Sequence, residues 1–207
     1  MTSSAPLTAG QAVARARVLA TTGHRVLLGI TGPPGAGKSS LAEAVLRAVP
    51  GSVLVPMDGL HLAQRVLDEA GLADRKGAPE TFDRDGFAAL LQRVRDQDAD
   101  APVVYAPEFR RDLEEPIAGA IAVRPSTRLV VTEGNYLLLW PEVAALLDEV
   151  WWVDLPDAER HRRLVARHAA FGKPPEQAQA WALGSDEANA RLVAPGRARA
   201  DVIVEGD

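Results

Sequence analysis

Eight consecutive residues, Gly32-Pro33-Pro34-Gly35-Ala36-Gly37-Lys38-Ser39, match the pattern G-x-x-x-x-G-K-[ST] at every fixed position. Glycines at that spacing let a loop turn successive backbone N–H groups toward phosphate oxygens, and a helix beginning at Lys38 adds the positive end of its dipole. Lys38 supplies a compact charge to the β- and γ-phosphates of a nucleotide, and Ser39 a hydroxyl for Mg²⁺. Nucleotide contacts are therefore expected from Gly32, Pro33, Pro34, Gly35, Ala36, Gly37, Lys38, Ser39 and Ser40. An apolar strand before the loop and an amphipathic helix after it separate this reading from an ordinary Gly/Pro turn capped by serine.

A phosphate loop needs an acid at another strand end to complete a Mg²⁺ site. Glu133 follows the apolar run Arg128-Leu129-Val130-Val131-Thr132, and Gly134 lets the chain leave close to the phosphates. Asp154 competes for that place, but Asp154-Leu155-Pro156-Asp157 reads as a helix start with carboxylate caps. A further carboxylate, Asp58, ends the run Ser52 to Met57. It can orient an alcohol and take its proton as the oxygen attacks phosphorus; the plainer alternative is a helix cap. A phosphate acceptor needs no such base and would be repelled by it, so an alcohol is favoured over a nucleoside monophosphate.

Acceptor contacts are expected beyond Asp58, from His61, from Arg75 and Lys76 in the polar segment Arg75 to Asp83, from Tyr105 and Arg110 after a later strand, and from Glu133. On the helix predicted over Asp157 to Phe171, Arg160, Arg163 and Arg167 share one face. Arg163 and Arg167 are the candidates for a lid that brings cations to the transferring phosphoryl group; a solvated basic face is the alternative.

These residues require a scaffold that gathers strand ends. Short apolar runs alternate with amphipathic stretches, which is the α/β signature. Strands are predicted at Arg25–Thr31, Ser52–Met57, Pro102–Tyr105, Arg128–Thr132, Glu149–Val153 and Asp201–Val204. Helices are predicted at Ala9–Ala20, Lys38–Ala48, Asp85–Arg95, Glu142–Leu147, Asp157–Phe171 and Pro175–Leu183. In a parallel sheet the carboxyl ends share the edge where ligands bind. With 207 residues the chain suits one domain over 1–207, comprising an N-terminal tail and helix over 1–22 and a helical lid over about 156–185.

Composition narrows the classes. The net charge of −5 argues against a nucleic-acid backbone or an anionic membrane as the main partner, so any anion site is local. The absence of cysteine removes disulfides, thiolate metal sites and a cysteine nucleophile. No apolar run approaches a membrane span, and Met1 to Gly10 lacks the regions of a signal peptide, so a cytoplasmic monomer or homodimer is expected. Among the 23 cations only Lys38, Lys76 and Lys173 are lysines, which marks places where arginine would not serve.

Together these segments resemble the phosphoribulokinase/uridine kinase group of P-loop kinases, which includes the bacterial pantothenate kinases. The likeness runs from about Val26 to Val204. It rests on Gly32–Ser39, Asp58-Gly59, Tyr105, Glu133-Gly134, the lid helix and Arg75-Lys76-Gly77-Ala78-Pro79-Glu80-Thr81-Phe82-Asp83. That last segment is similar to pantothenate kinases, although the chain lacks their extra length. Asp58-Gly59-Leu60-His61 departs from the Asp-Ser-Phe-Tyr of uridine kinases. The Met57–His61 and Tyr105–Phe109 stretches resemble a branch labelled nucleoside/nucleotide kinase or fructose transport system kinase. The resemblance implies a P-loop NTPase fold with a mostly parallel central sheet, ATP with Mg²⁺, a hydroxyl acceptor, Asp58 as base, an arginine-bearing lid, and adenine packing near Asn189 to Arg197. A nucleoside-monophosphate kinase and a nucleotide-dependent switch or scaffold are the other readings; no Asn-Lys-x-Asp guanine-reading motif is present.

Overall fold

A computed structural model describes residues 5–172 and 174–206, so Lys173 lies outside the described residues. Every residue of β1 (Val26–Thr31) is buried. A run with no exposed face suits the middle of a parallel sheet covered on both sides, and that is where β1 lies. The sheet order is β2 (Val53–Leu54), β5 (Leu129–Glu133), β1, β6 (Glu149–Asp154) and β7 (Val202–Glu205), all parallel. Alternation along β1 divides the core. Leu27 packs toward α4 (Arg84–Arg95) and α5 (Pro141–Ala144), while Leu28 and Ile30 pack toward α1 (Ala9–Leu19) and α2 (Lys38–Ala48). Thr8 and Gln11 start α1 with reciprocal side-chain and backbone hydrogen bonds, satisfying two amides that the helix itself leaves unpaired.

Three strand ends meet at one edge. The phosphate loop leaves β1 after Thr31, Glu133 pairs in register with Ile30, and β2 leads through Val55 into a 3-10 turn over Met57–Leu60 that carries Asp58. The strand expected at Pro102–Tyr105 is not part of this sheet. It begins β3 (Val104–Arg110), which pairs antiparallel with β4 (Glu115–Val123) as a separate hairpin. β4 reads EPIAGAIAV; its Ala and Gly carry little strand preference, which hid it. Two helices add to the expected set, α3 (Gln64–Ala70) and α8 (Ser185–Val193), and the helix expected over Glu142–Leu147 is the single turn of α5. Between them lie α6 (Asp157–Ala170) and α7 (Pro175–Leu183), which pack on each other. No helix among the described residues is long and apolar enough to cross a membrane.

Candidate functional site

The phosphate loop leads into α2, whose first amides have no intrahelical acceptor and no side-chain cap. Gly35 has φ +80°, and a Cβ there would stand 2.9 Å from Leu164 and 3.0 Å from the carbonyl of Arg160. The position thus admits only glycine, for conformation and for the close approach of α6. Arg160 completes that contact. Its side chain is 2% exposed, with Nη1 donating to Pro34 O at 3.0 Å and Nη2 donating to Asp157 and Glu187 at 2.8 and 3.0 Å. Arg160 therefore ties the loop to α6 and α8, and does not share the cleft with Arg167.

Lys38 is buried, and its Nζ donates to Pro33 O at 3.0 Å. Burial pushes its ammonium down to about 8, against the opposing pull of Glu133 and Asp58. Ser39 Oγ donates to Glu133 Oε1 at 3.2 Å. Burial, and then the neighbouring Asp58 carboxylate, raise the Glu133 carboxyl above the ordinary range. Gly134 is where the chain must pass the Asp58 turn: a Cβ would meet Met57 Cβ at 2.5 Å and its sulfur at 2.6 Å.

Asp58 accepts one hydrogen bond from Arg111 Nη2 at 3.3 Å. His61 turns back so that its Nδ1 donates to Asp58 O at 2.8 Å, with its ring 3.9 Å from Phe82 and 4.8 Å from Phe109. Burial lowers the imidazole pKa and favours the neutral ring. Lys76 Nζ donates to Gln64 Oε1 at 3.1 Å and Glu114 O at 2.6 Å and lies over the Phe109 ring. Its ammonium joins the Arg75–Asp83 loop to the tip of the hairpin. The buried Tyr136 holds the same loop by donating from its hydroxyl to Gly77 O at 2.6 Å.

One cleft of about 560 Å³ collects Pro34, Gly35, Lys38, Ser39, Asp58, His61, Lys76, Glu133 and Arg167. Tyr105, Arg75, Arg110 and Arg163 do not line it. Tyr105 is 58% exposed, on the outer side of β3, where alternation turns it away from the buried Val104 and Ala106. A bulge between Ala106 and Glu108 then reverses the alternation, so Arg110 also turns outward, onto Asp112 at 2.9 and 2.7 Å, while Arg111, just past the strand, faces the cleft. Arg75 pairs with Glu80 at 2.5 Å. Arg163 donates to Glu159 at 2.7 Å and lies on the Gly37 side of the loop.

Arg111 and Phe109 line the cleft without having been predicted there; alternation counted from Val104 would have turned both outward, and the bulge that reverses it left no signal in the sequence. Asp186 and Asn189 of α8 also line the cleft. His168 contacts Asp186 at 2.7 Å and His161 contacts Glu187 at 2.9 Å, so both histidines pack α6 onto α8. The His161 contact and Arg160 hold the Glu187 carboxyl down at about 2. Asn189 Nδ2 donates to Gly77 O at 3.4 Å, on the acceptor-loop side, while Arg197 is held by Asp154 at 2.9 and 3.1 Å.

No family model matches the chain. An ATP-dependent kinase-like protein of Aspergillus versicolor is 36% identical over 162 residues, covering 73% of this chain and 94% of that protein. A Schizosaccharomyces pombe protein provisionally named a uridine kinase is 32% identical over 166 residues, covering 72% and 68%. A solved structure from Silicibacter sp. TM1040, provisionally named a fructose transport system kinase, superimposes with TM-score 0.81 at 36% identity, covering 95% of this chain and 98% of that one. Strand order, phosphate loop and these relatives agree: the chain belongs to the P-loop kinases, in the group whose members carry the names of uridine, pantothenate and fructose transport system kinases.

Proposed function

We propose that the protein transfers the γ-phosphoryl group of ATP to the hydroxyl of a small acceptor, a nucleoside, a sugar or a pantothenate-like alcohol. The observation that carries this reading is the placement of Asp58 in the same cleft as Lys38, Ser39 and Glu133, with His61, Phe82, Phe109 and Lys76 forming a wall beyond it. Nothing in nucleotide binding alone calls for a carboxylate there. Kinases named for uridine and pantothenate among the relatives support an alcohol acceptor.

The acceptor oxygen attacks the γ-phosphorus while the bond from phosphorus to the β–γ bridging oxygen breaks; ADP leaves, and Asp58 takes the hydroxyl proton. The loop amides and Lys38 hold the phosphates, and Arg167, on the cleft side of α6, supplies positive charge near the transferring group. Ser39 and Glu133 fit a Mg²⁺ ion. They offer oxygen donors 3.2 Å apart, and no group of three or more His, Cys, Asp or Glu among the described residues could hold an ion unaided. An ion held there would take its other ligands from phosphate and water. Bound there, Mg²⁺ would neutralise charge on the phosphate oxygens.

Asp58→Asn tests the assignment. ATP affinity should stay nearly unchanged while turnover falls about 10²–10⁴-fold; unchanged turnover removes Asp58 from the mechanism. ADP release across nucleosides, sugars, pantothenate and nucleoside monophosphates tests the acceptor class. Stimulation by monophosphates alone would support the nucleoside-monophosphate reading.

A further inference from the structure

Granting that Asp58 receives the proton of an acceptor hydroxyl, the acceptor wall carries one cation whose donors are largely uncommitted. Arg110 and Arg75 are paired outside the cleft, and the Lys76 ammonium is occupied by Gln64 and the Glu114 carbonyl. Arg111 differs. It lines the cleft, its side chain is 56% exposed, and its hydrogen bonding consists of one long contact, Nη2 to Asp58 Oδ2 at 3.3 Å. A guanidinium presents five donors in a fork that fits a carboxylate or phosphate in pairs; most of this fork faces ligand space.

The position of that fork is built. The turn bearing Arg111 is braced by Lys76 on the Glu114 carbonyl, by Gln64 N donating to Glu115 Oε1 at 3.0 Å, and by Leu113 N donating to Arg110 O at 3.1 Å. Arg111 therefore reaches Asp58 from a fixed base.

We infer that Arg111 binds an anionic group, carboxylate or phosphate, that the acceptor carries close to its reacting hydroxyl, and that this group draws the guanidinium off Asp58. In the ligand-free protein the guanidinium and an incoming hydroxyl compete for Asp58 Oδ2. A paired charge-assisted contact outweighs a single bond of 3.3 Å, so an anionic acceptor exchanges one partner for a better one and clears the base as it binds. A neutral alcohol offers no exchange. With Oδ2 and Nη2 3.3 Å apart in the ligand-free protein and ordinary hydrogen-bond lengths of about 2.7–2.9 Å to each, the hydroxyl and the anion lie no more than about 9 Å apart. A compact hydroxy acid or a small hydroxylated phosphate ester meets that limit. The transfer itself is unchanged: oxygen to phosphorus bond formed, phosphorus to bridging-oxygen bond broken, proton to Asp58.

The test is ADP release, with KM and kcat separated, for alcohols matched in all but charge, led by glycerate, glycerol 3-phosphate and glycerol, with pantothenate and pantothenol as a pair whose anion is distant. Wild type, Arg111→Lys and Arg111→Met are compared, and ATP binding by titration reports whether each variant is folded. The expected result is a preference for a charged compact acceptor over its neutral counterpart of about 10²-fold in kcat/KM. Arg111→Met should bring that ratio to within a few-fold of one, mainly through KM, and Arg111→Lys should restore part of it. The response to glycerate or to glycerol 3-phosphate tells carboxylate from phosphate. Equal use of charged and neutral alcohols by the wild type, or an equal loss for both in Arg111→Met, overturns the inference and leaves the alcohol kinase standing. ADP release from no alcohol, or from nucleoside monophosphates alone, overturns the alcohol reading and this inference with it.

Discussion

Lys38→Met should make the ligand-free protein more stable while abolishing its response to nucleotide. The ammonium is buried in a tight loop, and burial lowers its pKa from an ordinary 10.5 to about 8 even with Glu133 and Asp58 nearby. At about 1.36 kcal/mol for each tenfold change in protonation, carrying that charge in the folded state costs about 3 kcal/mol at neutral pH. Methionine keeps the stem and removes the charge. Losing the donor to Pro33 O returns about 1 kcal/mol of that, leaving a net gain of about 2 kcal/mol. For a chain of this length the Tm should rise by about 4–8 °C.

The pH dependence follows from the sign of the shift. Below pH 8 the folded and unfolded states both hold the proton, and the whole penalty is present. Between about 8 and 10.5 the unfolded state binds more protons than the folded state, so wild-type stability rises with pH and the difference between the two proteins closes. Urea or thermal unfolding from pH 7 to 10, without nucleotide, reads both effects. Adding ATP and Mg²⁺ at about 100 times Kd should stabilise the wild type by about 2.7 kcal/mol and leave the variant unmoved. A variant less stable than wild type at every pH, or a difference that does not change with pH, refutes the reasoning.

Gly134→Ala places a methyl group against Met57 and pushes on the turn that carries Asp58. A loss of about 1–3 kcal/mol in urea unfolding is expected, together with a lower kcat and little change in ATP affinity; a fully active, equally stable variant would show that the turn can move aside. Arg160→Met removes the buried tie between Pro34, α6 and α8. It should cost about 3 kcal/mol and weaken nucleotide binding, since it leaves Glu187 short of a partner and the loop unclamped. A loss below about 1 kcal/mol would place that guanidinium in solvent.

Local signals were sufficient for much of the nucleotide side. The phosphate loop is contiguous, so its glycines, Lys38 and Ser39 declare themselves through spacing, and the buried run of β1 calls for a parallel sheet around it. Glu133 and Asp58 were legible because both end apolar runs, and parallel topology brings such ends to one edge. The acceptor wall was less so. A bulge between Ala106 and Glu108 reverses the alternation of β3, so that Tyr105 and Arg110 are both exposed while Phe109 and, past the strand, Arg111 line the cleft; that bulge belongs to a hairpin whose second strand is too rich in Ala and Gly to announce itself. The arginines of α6 share a face by helical spacing, yet only packing separates them: Leu164 and Gly35 draw Arg160 into the core, Glu159 holds Arg163, and Arg167 remains in the cleft. The amino-acid sequence by itself determined the chemistry of the phosphate end, because one short segment holds all of its parts. Tertiary structure alone decided which charged side chains face the cleft, because that depends on a bulge in β3 and on partners distant in the chain.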